Sequence, residues 1–331
     1  MIKLKDNIYG EFEISEPVLL DILNSPALNR LKGVMVGGYY PGQPEISGKN
    51  TRYGHSTGVL LLLRRFNAKI EEQIAGLLHD VSHSAFSHAI DYMGKDKSSQ
   101  KSQDHQDSIH NKFVRDSELS AILKKHGFDI NYILDDANFP LKENNLPDIC
   151  ADRIDYSLKD GVEAGFVTLE QARYIVDKLT VHNGSFIFSE RDAAQDFADN
   201  FTQVDENTYS SFAGAVKNAT NGKMLGYAIE KEYIQYADLY KLSDDEIISK
   251  LQSIKDDQLQ KYFATLNLHS KHFKVSSNEE KYDTAFSKIR RVNPCFLENN
   301  KLTRLSEVNQ NYAKMLANAP KFVEYKIKEI F

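Results

Sequence analysis

Helical spacing of apolar residues dominates the chain. Apolar side chains recur every three or four positions in six segments, as the buried face of a helix requires: residues 16–23, 55–66, 70–80, 105–125, 149–159 and 169–179. The helical pattern then resumes to about residue 266, with Ser243 as a suitable N-cap for the run "DDEIISKL". These segments predict a mainly α fold.

Short stretches with a period of two predict small β elements. "NIYGEFEIS", residues 7–15, alternates apolar and polar positions and predicts a short strand or hairpin. In "LTVHNGSFIF", residues 179–188, two β-prone runs flank Asn183 and Gly184, a dipeptide typical of a tight hairpin turn. The tail "KFVEYKIKEI" again has strand character. We therefore expect a helical core with an N-terminal hairpin, a mid-chain hairpin and C-terminal strands.

Two stretches interrupt the helical pattern. Residues 36–55, "VGGYYPGQPEISGKNTRYGH", carry the glycines and prolines of a loop. Residues 94–104, "GKDKSSQKSQD", are polar and predict a mobile loop that could close over a site. A weak change in pattern near residue 270 divides the chain into a core, residues 1–270, and a C-terminal α/β extension, residues 271–331.

Composition and charge narrow the class of protein. The 331 residues are 41% hydrophobic and 27% charged, as in ordinary globular proteins. The longest apolar run, residues 59–63, is too short to span a bilayer, and the N-terminus lacks the features of a secretion signal. We expect a cytoplasmic protein with no membrane partner. The net charge of −6 argues against broad nucleic-acid binding, although a local basic pocket could hold a phosphorylated substrate.

The two cysteines do not form a recognisable framework. Cys150 and Cys295 are far apart in the chain, and neither belongs to a CxxC pair. The sequence therefore predicts neither structural disulfides nor a thiolate zinc site.

Histidines are concentrated in one part of the chain. Six of the ten lie between His55 and His110, and "IAGLLHDVSHSAFSH", residues 74–88, places His79 directly before Asp80. Adjacent side chains diverge by about 100° on a helix, so one cation can bind both only near the helix end. Imidazole and carboxylate ligands suit Fe, Mn, Co, Ni or Zn, and also Mg if waters complete its shell. Further ligands are needed, and His55 in "RYGHSTG" and Asp152 in "ADRIDY" are the best candidates.

The order of these residues resembles the metal-binding signature of the HD-domain phosphohydrolase superfamily. The chain is most similar to the deoxynucleoside triphosphate triphosphohydrolases, through the segments "KDNIYGEFEIS", "LNSPALNRLKG", "TRYGHSTGV", "IAGLLHDVSHSAFSH", "HQDSIH" and "ADRIDYSLKDG". This resemblance covers about residues 5–230, and the last hundred residues add little to it. It implies an HD-domain helical core and an assembly of several copies of the chain.

The resemblance also implies roles for individual residues. One divalent metal ion would be held by His55, His79, Asp80 and Asp152. The reaction centre would be lined by His83, His88, Asp91 and His105, with His88 or His105 as the general acid. Phosphate, sugar or neighbouring catalytic groups would be contacted by Arg52, Arg153, Tyr156 and Asp160. A metal that polarises phosphorus, with imidazoles that move protons, is a workable hydrolytic centre.

The chain departs from the triphosphohydrolase pattern where substrate is recognised. Val36 and Gly37 stand where a Gln-Leu pair commonly reads the deoxyribose. No arginine lies between Arg191 and Arg290, whereas a helix of those enzymes offers Arg and Tyr to the substrate. Where nucleotide-activated relatives have the basic groups of a regulatory nucleotide site, this chain has Asn24 and Lys32, which match that site only in part. The sequence thus predicts retained metal chemistry and altered substrate recognition.

Structural roles compete with these functional ones. His83, His88 and His105 could be histidines bonded to backbone, Asp91 could only orient a histidine, and His110 is expected to pack or to face solvent. Arg52 and Arg153 could pair with nearby acids.

The leading interpretation is a metal-dependent phosphohydrolase acting on a nucleotide, with a triphosphate as the favoured substrate. The alternatives are a phosphomonoesterase for a nucleotide or small phosphorylated metabolite, a nucleotide sensor with weak turnover, and, least favoured by the acidic charge, a nuclease.

Overall fold

Helices form most of this computed structural model, which describes residues 1–94, 97–276, 283–299 and 301–329. In the first half of the chain the α-helices are α1 (Pro17–Leu23), α2 (Pro26–Arg30), α3 (Pro44–Ser47), α4 (Arg52–Arg65), α5 (Ile70–Leu78), α6 (Ser98–Ser102), α7 (His105–Asp116), α8 (Glu118–Lys125), α9 (Ile130–Ile133) and α10 (Ala151–Ala164). They are followed by α11 (Leu169–Asp177), α12 (Arg191–Val204), α13 (Phe212–Glu230), α14 (Asp244–Gln252), α15 (Asp257–Leu266), α16 (Leu305–Val308) and α17 (Gln310–Asn318).

Small sheets flank the helices. The described strands are β1 (Ile2–Asp6), β2 (Gly10–Ile14), β3 (Leu179–His182), β4 (Ser185–Phe188), β5 (Phe273–Val275), β6 (Asp283–Lys288), β7 (Cys295–Glu298), β8 (Lys301–Arg304) and β9 (Phe322–Glu329). Strands β1 and β2 form a hairpin, β3-β4-β7-β8 form a second sheet in which β4 and β7 run parallel, and β5-β9-β6 form an antiparallel third sheet. The mainly α fold with three sets of small β elements is therefore confirmed.

Among the described residues, two hydrophobic clusters form the core, and the HD stretch, residues 74–88, runs between them. Leu78 and Val81 belong to the first cluster, which includes buried residues of α4, α5 and α10. Ala85 and Phe86 belong to the second, which is built mainly by α13, α14 and α15. The polar residues of this stretch are consequently fixed at the junction of two packed bodies.

Helix α4 is buried on nearly all sides, because it passes between other helices. Thr51 caps its start, where its Oγ1 accepts a hydrogen bond of 3.0 Å from the Gly54 amide. At Gly58 an added Cβ would lie 2.0 Å from Oδ1 of Asp155 on α10. Glycine therefore permits the close approach of α4 and α10 that brings His55 and Asp155 together.

Several predicted boundaries differ from those observed. The helix predicted over residues 105–125 is broken at Ser117, which is extended (ψ 173°) and caps α8 through its side chain. The polar stretch 94–104 contains α6, and its Gln100 is buried and bonds to β6, so this stretch is not simply a loop. Lys95 and Asp96 in that stretch lie outside the described residues.

Residues beyond position 270 contribute to both hydrophobic clusters. Val292 and Phe296 pack in the first cluster, while Phe273 and Ala285 pack in the second. The division into residues 1–270 and 271–331 stays a prediction. Within the described ranges, no helix combines the length and apolar character that a bilayer crossing requires.

Candidate metal centre and its cleft

The imidazoles of His55, on α4, and His79, at the end of α5, meet edge to face with their ring centroids 4.8 Å apart. The Nδ1 atom of His55 lies 2.6 Å from an oxygen of Asp155, and that of His79 lies 2.7 Å from the Gly76 carbonyl oxygen. Since both partners are acceptors, each Nδ1 carries a proton, so Nε2 is the nitrogen of each ring that can bind a metal once it is deprotonated. These two Nε2 atoms are 3.0 Å apart.

Two carboxylates approach the same pair of nitrogens. An oxygen of Asp152 lies 2.9 Å from Nε2 of His55 and 3.4 Å from Nε2 of His79. The oxygens of Asp80 lie 3.7 Å from His55 Nε2 and 3.6 Å from His79 Nε2. Three of the four residues predicted as metal ligands, His55, His79 and Asp152, are therefore gathered around one point, although three separate helices supply them. Asp80 lies beside the two histidines.

The donor set fits a divalent cation. Ligand atoms about 2.0–2.2 Å from a metal lie roughly 3 Å from their neighbours in the shell, close to the separations found here. The donor atoms of His55, His79 and Asp152 all lie within 4.8 Å of one another. Neutral imidazole nitrogens and carboxylate oxygens are the ligands that first-row divalent metals take in proteins, so these residues would hold a metal.

The electric field of the site favours a cation. Burial opposes protonation of His55, but hydrogen bonds to Asp152 and Asp155 overcome this effect and raise its pKa to about 10. Burial also disfavours the charged form of Asp152, yet its bonds to His55 and His79 lower its pKa below the usual range. The carboxylates thus stay ionised, as metal ligands must.

Asp155 was not among the residues predicted from the sequence, and it supports the centre by holding Nδ1 of His55. It is fully buried, and Lys159 lies 2.9 Å from its second oxygen. Its place three residues after Asp152 puts both carboxylates on one face of α10, which is the sequence signal that could have revealed it. A carboxylate that fixes the Nδ1 proton of a ligand histidine orients the ring toward the metal.

His83, His88 and Asp91 form the next part of the site. His83 Nε2 lies 3.4 Å from Asp80, and the rings of His83 and His88 meet edge to face at 5.3 Å. His88 Nδ1 lies 3.2 Å from the buried Asp91 carboxylate, while the ring keeps about a third of its surface exposed. Both histidines line the cleft, whereas Asp91 lies behind His88. Burial lowers the pKa of His83 and of His88, so both are neutral at pH 7 in the free protein.

His105 and His110 lie in positions that differ from those predicted from the sequence. His105 bonds to the hydroxyls of Tyr240 at 2.7 Å and Tyr236 at 3.2 Å, and it is not among the described residues that line the cleft. His110, for which the sequence predicted packing or exposure to solvent, lines the cleft. Burial lowers its pKa to about 4, and its Nδ1 lies 3.2 Å from Ser82 Oγ.

The predicted phosphate-binding arginines line the cleft but are already paired. Arg52 lies 2.7 Å from Asp80, and its charge helps to hold the pKa of that buried carboxyl well below its usual range. Arg153 lies 2.9 Å from Glu143 and also bonds to backbone carbonyls. Both arginines are therefore partly neutralised before any substrate binds.

Of the residues predicted to contact substrate or catalytic groups, Tyr156 lines the cleft and Asp160 does not. Tyr156 lines the cleft, with its ring centroid 6.3 Å from that of His55. Asp160 lies outside this lining and accepts hydrogen bonds from Asn50, at 2.6 Å, and from the Tyr209 hydroxyl. Asp160 thus positions Tyr209, which does line the cleft.

The cleft has a volume of about 480 Å³, enough for a small ligand. Its lining combines the metal-ligand residues with the basic residues Arg52, Lys142, Arg153, Lys217, Lys288 and Arg290. Lys288 and Arg290 come from the last hundred residues, which sequence resemblance had left without a role.

A second group of possible ligands lies beside the first but does not suit a metal. Glu143, Cys150 and Asp152 have donor atoms within 4.8 Å of one another. The Arg153 guanidinium lies 3.1 Å from Cys150 Sγ and already supplies the positive charge there. Burial raises the pKa of Cys150, so its thiol remains protonated.

Comparison with known proteins gives the same family. Residues 52–180 match the HD domain. Uncharacterized protein YdhJ of Bacillus subtilis is 31% identical over 319 residues, which are 95% of this chain and 94% of YdhJ. Metal-dependent phosphohydrolase cns2 of Cordyceps militaris is 31% identical over 258 residues, 76% of this chain and 73% of cns2.

More distant similarities are narrower or concern the fold. Deoxynucleoside triphosphate triphosphohydrolase SAMHD1 of Mus musculus is 31% identical over 155 residues, 39% of this chain but 23% of that enzyme. The crystal structure of a phosphohydrolase from Bacteroides thetaiotaomicron has a TM-score of 0.70 at 15% identity and covers 100% of both chains. A hypothetical protein from Aquifex aeolicus has a TM-score of 0.71 at 18% identity, covering 99% of this chain and 96% of its own. From the full-length similarity to YdhJ, the match to the HD domain and the similarity to cns2, the chain belongs to the HD-domain metal-dependent phosphohydrolases.

Proposed function

We propose that this phosphohydrolase acts on a nucleotide, with a nucleoside triphosphate as the leading candidate and with altered recognition of the sugar. The observation that carries this proposal is the pair of Nε2 atoms of His55 and His79, 3.0 Å apart and flanked by Asp80 and Asp152, in a cleft whose described lining contains six basic side chains as well as the carboxylates of Asp107, Asp136 and Glu143. A divalent metal, when bound there, would neutralise charge on phosphoryl oxygens and make water a better nucleophile.

Protein side chains would supply charge and protons around the reacting phosphorus. Arg52 and Lys217 lie on the wall formed by Val36 and Gly37, whose carbonyl oxygens accept hydrogen bonds from Arg52 Nη2 and Lys217 Nζ, respectively. Lys217 is 7% exposed and has no carboxylate within 4 Å among the described residues, so a phosphate oxygen is a fitting counter-charge. This lysine supplies a basic group within the arginine-free segment 192–289.

His88 is the candidate general acid on this side of the cleft. Its Nδ1 is held by Asp91, which leaves the other nitrogen available to the leaving group. Burial lowers the pKa of His88 in the free protein, but an adjacent dianionic phosphate raises it again and favours the imidazolium that donates the proton. His105 would need to move to take this role, since it is bound to two tyrosines.

The wall beside Gly37 supports a change in sugar recognition. A Cβ built on Gly37 would lie 2.1 Å from the Ser47 carbonyl oxygen, so the backbone itself excludes a larger residue. The leucine expected here in triphosphohydrolases therefore has no equivalent, and Val36 offers no side-chain hydrogen bond in place of glutamine.

Metal analysis followed by a nucleotide panel tests the proposal. We expect His79→Ala and Asp80→Ala to remove both bound metal and hydrolysis, with inorganic triphosphate as the product formed by the parent protein. Full activity in metal-stripped protein would reject the proposal.

A phosphomonoesterase is the second candidate, because the altered wall lacks the pair that reads the deoxyribose in the triphosphohydrolases. Release of orthophosphate from nucleoside monophosphates, with no triphosphate product, would favour it. Tight nucleotide binding with negligible hydrolysis across several metals would instead favour a sensor.

A further inference from the structure

Two basic side chains reach the cleft from the C-terminal part of the chain. Lys288 is the last residue of β6, and Arg290 follows two residues later. Both line the cleft that contains the candidate metal ligands. Arg290 is also close enough to His88 to contribute to the lowering of its pKa.

Contacts on two sides hold residues 286–291 against the helical part of the fold. Buried Asp205 accepts the Arg290 amide at 3.4 Å and pairs with the guanidinium of Arg291 at 2.7 Å. On the other side, the Phe286 amide of β6 donates to buried Gln100 at 3.3 Å. Arg291 thus anchors the chain, while the neighbouring Arg290 is left to project into the cleft.

Lys288 and Arg290 share the charge balance of Lys217 and differ from the other three cleft cations. Arg52, Lys142 and Arg153 each have a carboxylate partner within 4 Å. Among the described residues, no carboxylate lies within that distance of the Lys288 ammonium or the Arg290 guanidinium. Lys288 donates to the Ser102 carbonyl at 2.9 Å and Arg290 to the Gln103 side-chain oxygen at 3.2 Å, and both acceptors are neutral.

We propose that Lys288 and Arg290 form an anion subsite that binds a second phosphate of the substrate, apart from the phosphate at the metal, and so select substrates with a phosphoanhydride chain. This inference rests on the proposed hydrolysis of a nucleotide and makes its substrate class narrower. Two cations with no carboxylate within 4 Å among the described residues, in one partly desolvated cleft, favour a ligand with more than one negative group. A lone phosphomonoester would leave this pair without a counter-charge.

Binding of base-free probes tests the subsite without knowledge of the nucleoside. The probes are orthophosphate and methylenediphosphonate, a diphosphate analogue with a stable P–C–P bridge, titrated calorimetrically into the metal-loaded protein. We expect Arg290→Gln and Lys288→Gln each to weaken methylenediphosphonate binding by about tenfold, as for a lost charged hydrogen bond, and orthophosphate binding by less than about twofold. Arg290→Lys should retain most of the affinity.

Lys314→Gln is the matched control, because it removes one positive charge from an exposed site on α17. Metal content and melting temperature are compared for every variant, so that loss of the centre or of the fold is recognised. Equal weakening of both probes, unchanged binding in the two glutamine variants, or no preference for the diphosphonate in the parent would each overturn the subsite. Failure of the proposed function gives a different result: no nucleotide would be hydrolysed, while the preference for the diphosphonate and its loss in the variants would persist.

Discussion

At the scale of single residues, Asp155 shows how the protein prepares a ligand before a metal arrives. This buried carboxylate holds Nδ1 of His55 at 2.6 Å and thereby directs Nε2 toward His79 and Asp152. Asp155→Asn keeps the size of the side chain but removes its charge and half of its acceptor capacity. We expect metal affinity to fall by about 10–100-fold, the range typical of such supporting groups.

Metal competition titration measures this effect directly. Asp177→Asn is a suitable control, because Asp177 is a carboxylate at the end of α11 that pairs with Arg65 at the surface. An unchanged metal affinity in Asp155→Asn would mean that His55 is oriented by packing alone.

Lys217 gives a prediction about pH. Burial lowers its pKa to about 8, so its charge is present below pH 8 and is lost above it. If the charge binds substrate phosphate, kcat/KM for a nucleotide should fall above about pH 8, approaching tenfold per pH unit. Because Arg stays charged, Lys217→Arg should move this decline to higher pH.

Unfolding does not account for such a decline. The unfolded lysine has a pKa near 10.4, so between pH 8 and about 10 the unfolded chain holds more protons at this position than the folded chain. The contribution of Lys217 to stability therefore rises with pH over that window. A pH profile identical in the parent and Lys217→Arg would remove this lysine from substrate binding.

At the scale of secondary-structure elements, the packing of α4 against α10 depends on Gly58. An added Cβ would lie 2.0 Å from Asp155 Oδ1 and 2.1 Å from Lys159 Nζ. Gly58→Ala should therefore displace one of these side chains, lower metal affinity by at least about tenfold and destabilise the fold by about 1–3 kcal/mol. Metal titration and denaturant unfolding measure the two effects.

Gly54→Ala provides the matched change one turn earlier in the same helix. There an added Cβ would meet only Thr51 Oγ1, at 3.4 Å, so we expect metal affinity to be unchanged. If both alanine variants bind metal like the parent, the spacing of α4 and α10 does not govern the site.

The helices and strands also show which parts of the structure could be predicted from the sequence. Helical spacing and the Asn183-Gly184 turn identified the main helices and the hairpin of β3 and β4, because these features depend on nearby residues. The motif pattern named His55, His79, Asp80 and Asp152 as candidate ligands, and the structure brings them together.

Contacts between distant segments could not be read in this way. Arg290 reaches the cleft because Asp205 binds its amide across 85 residues of chain, and no local pattern records that contact. The position of His105 likewise depends on Tyr240, which lies 135 residues away. The sequence therefore indicated the metal site more completely than the substrate-binding walls.

At the scale of the whole molecule, the candidate metal ligands come from segments that are far apart in the chain, so a metal bound there would link them. His55, His79 and Asp152 come from three separate elements, and their donor atoms all lie within 4.8 Å of one another. A metal that binds only the folded chain stabilises it by about 2.7 kcal/mol at 100 times its Kd. With an unfolding entropy of about 2 cal/mol/K per residue, the melting temperature of this chain should rise by about 4 °C.

Differential scanning calorimetry of metal-stripped protein, with each divalent metal added in turn, measures this shift and ranks the metals. His79→Ala removes one imidazole ligand, so its melting temperature should respond far less to the same metals. Chelator added to the loaded parent should reverse the rise, since the stabilisation comes from binding and not from a lasting change in the chain. A rise of equal size in the parent and in His79→Ala would mean that the stabilising metal binds elsewhere in the molecule. The candidate ligands would then not contribute to the stabilisation of the fold by metal.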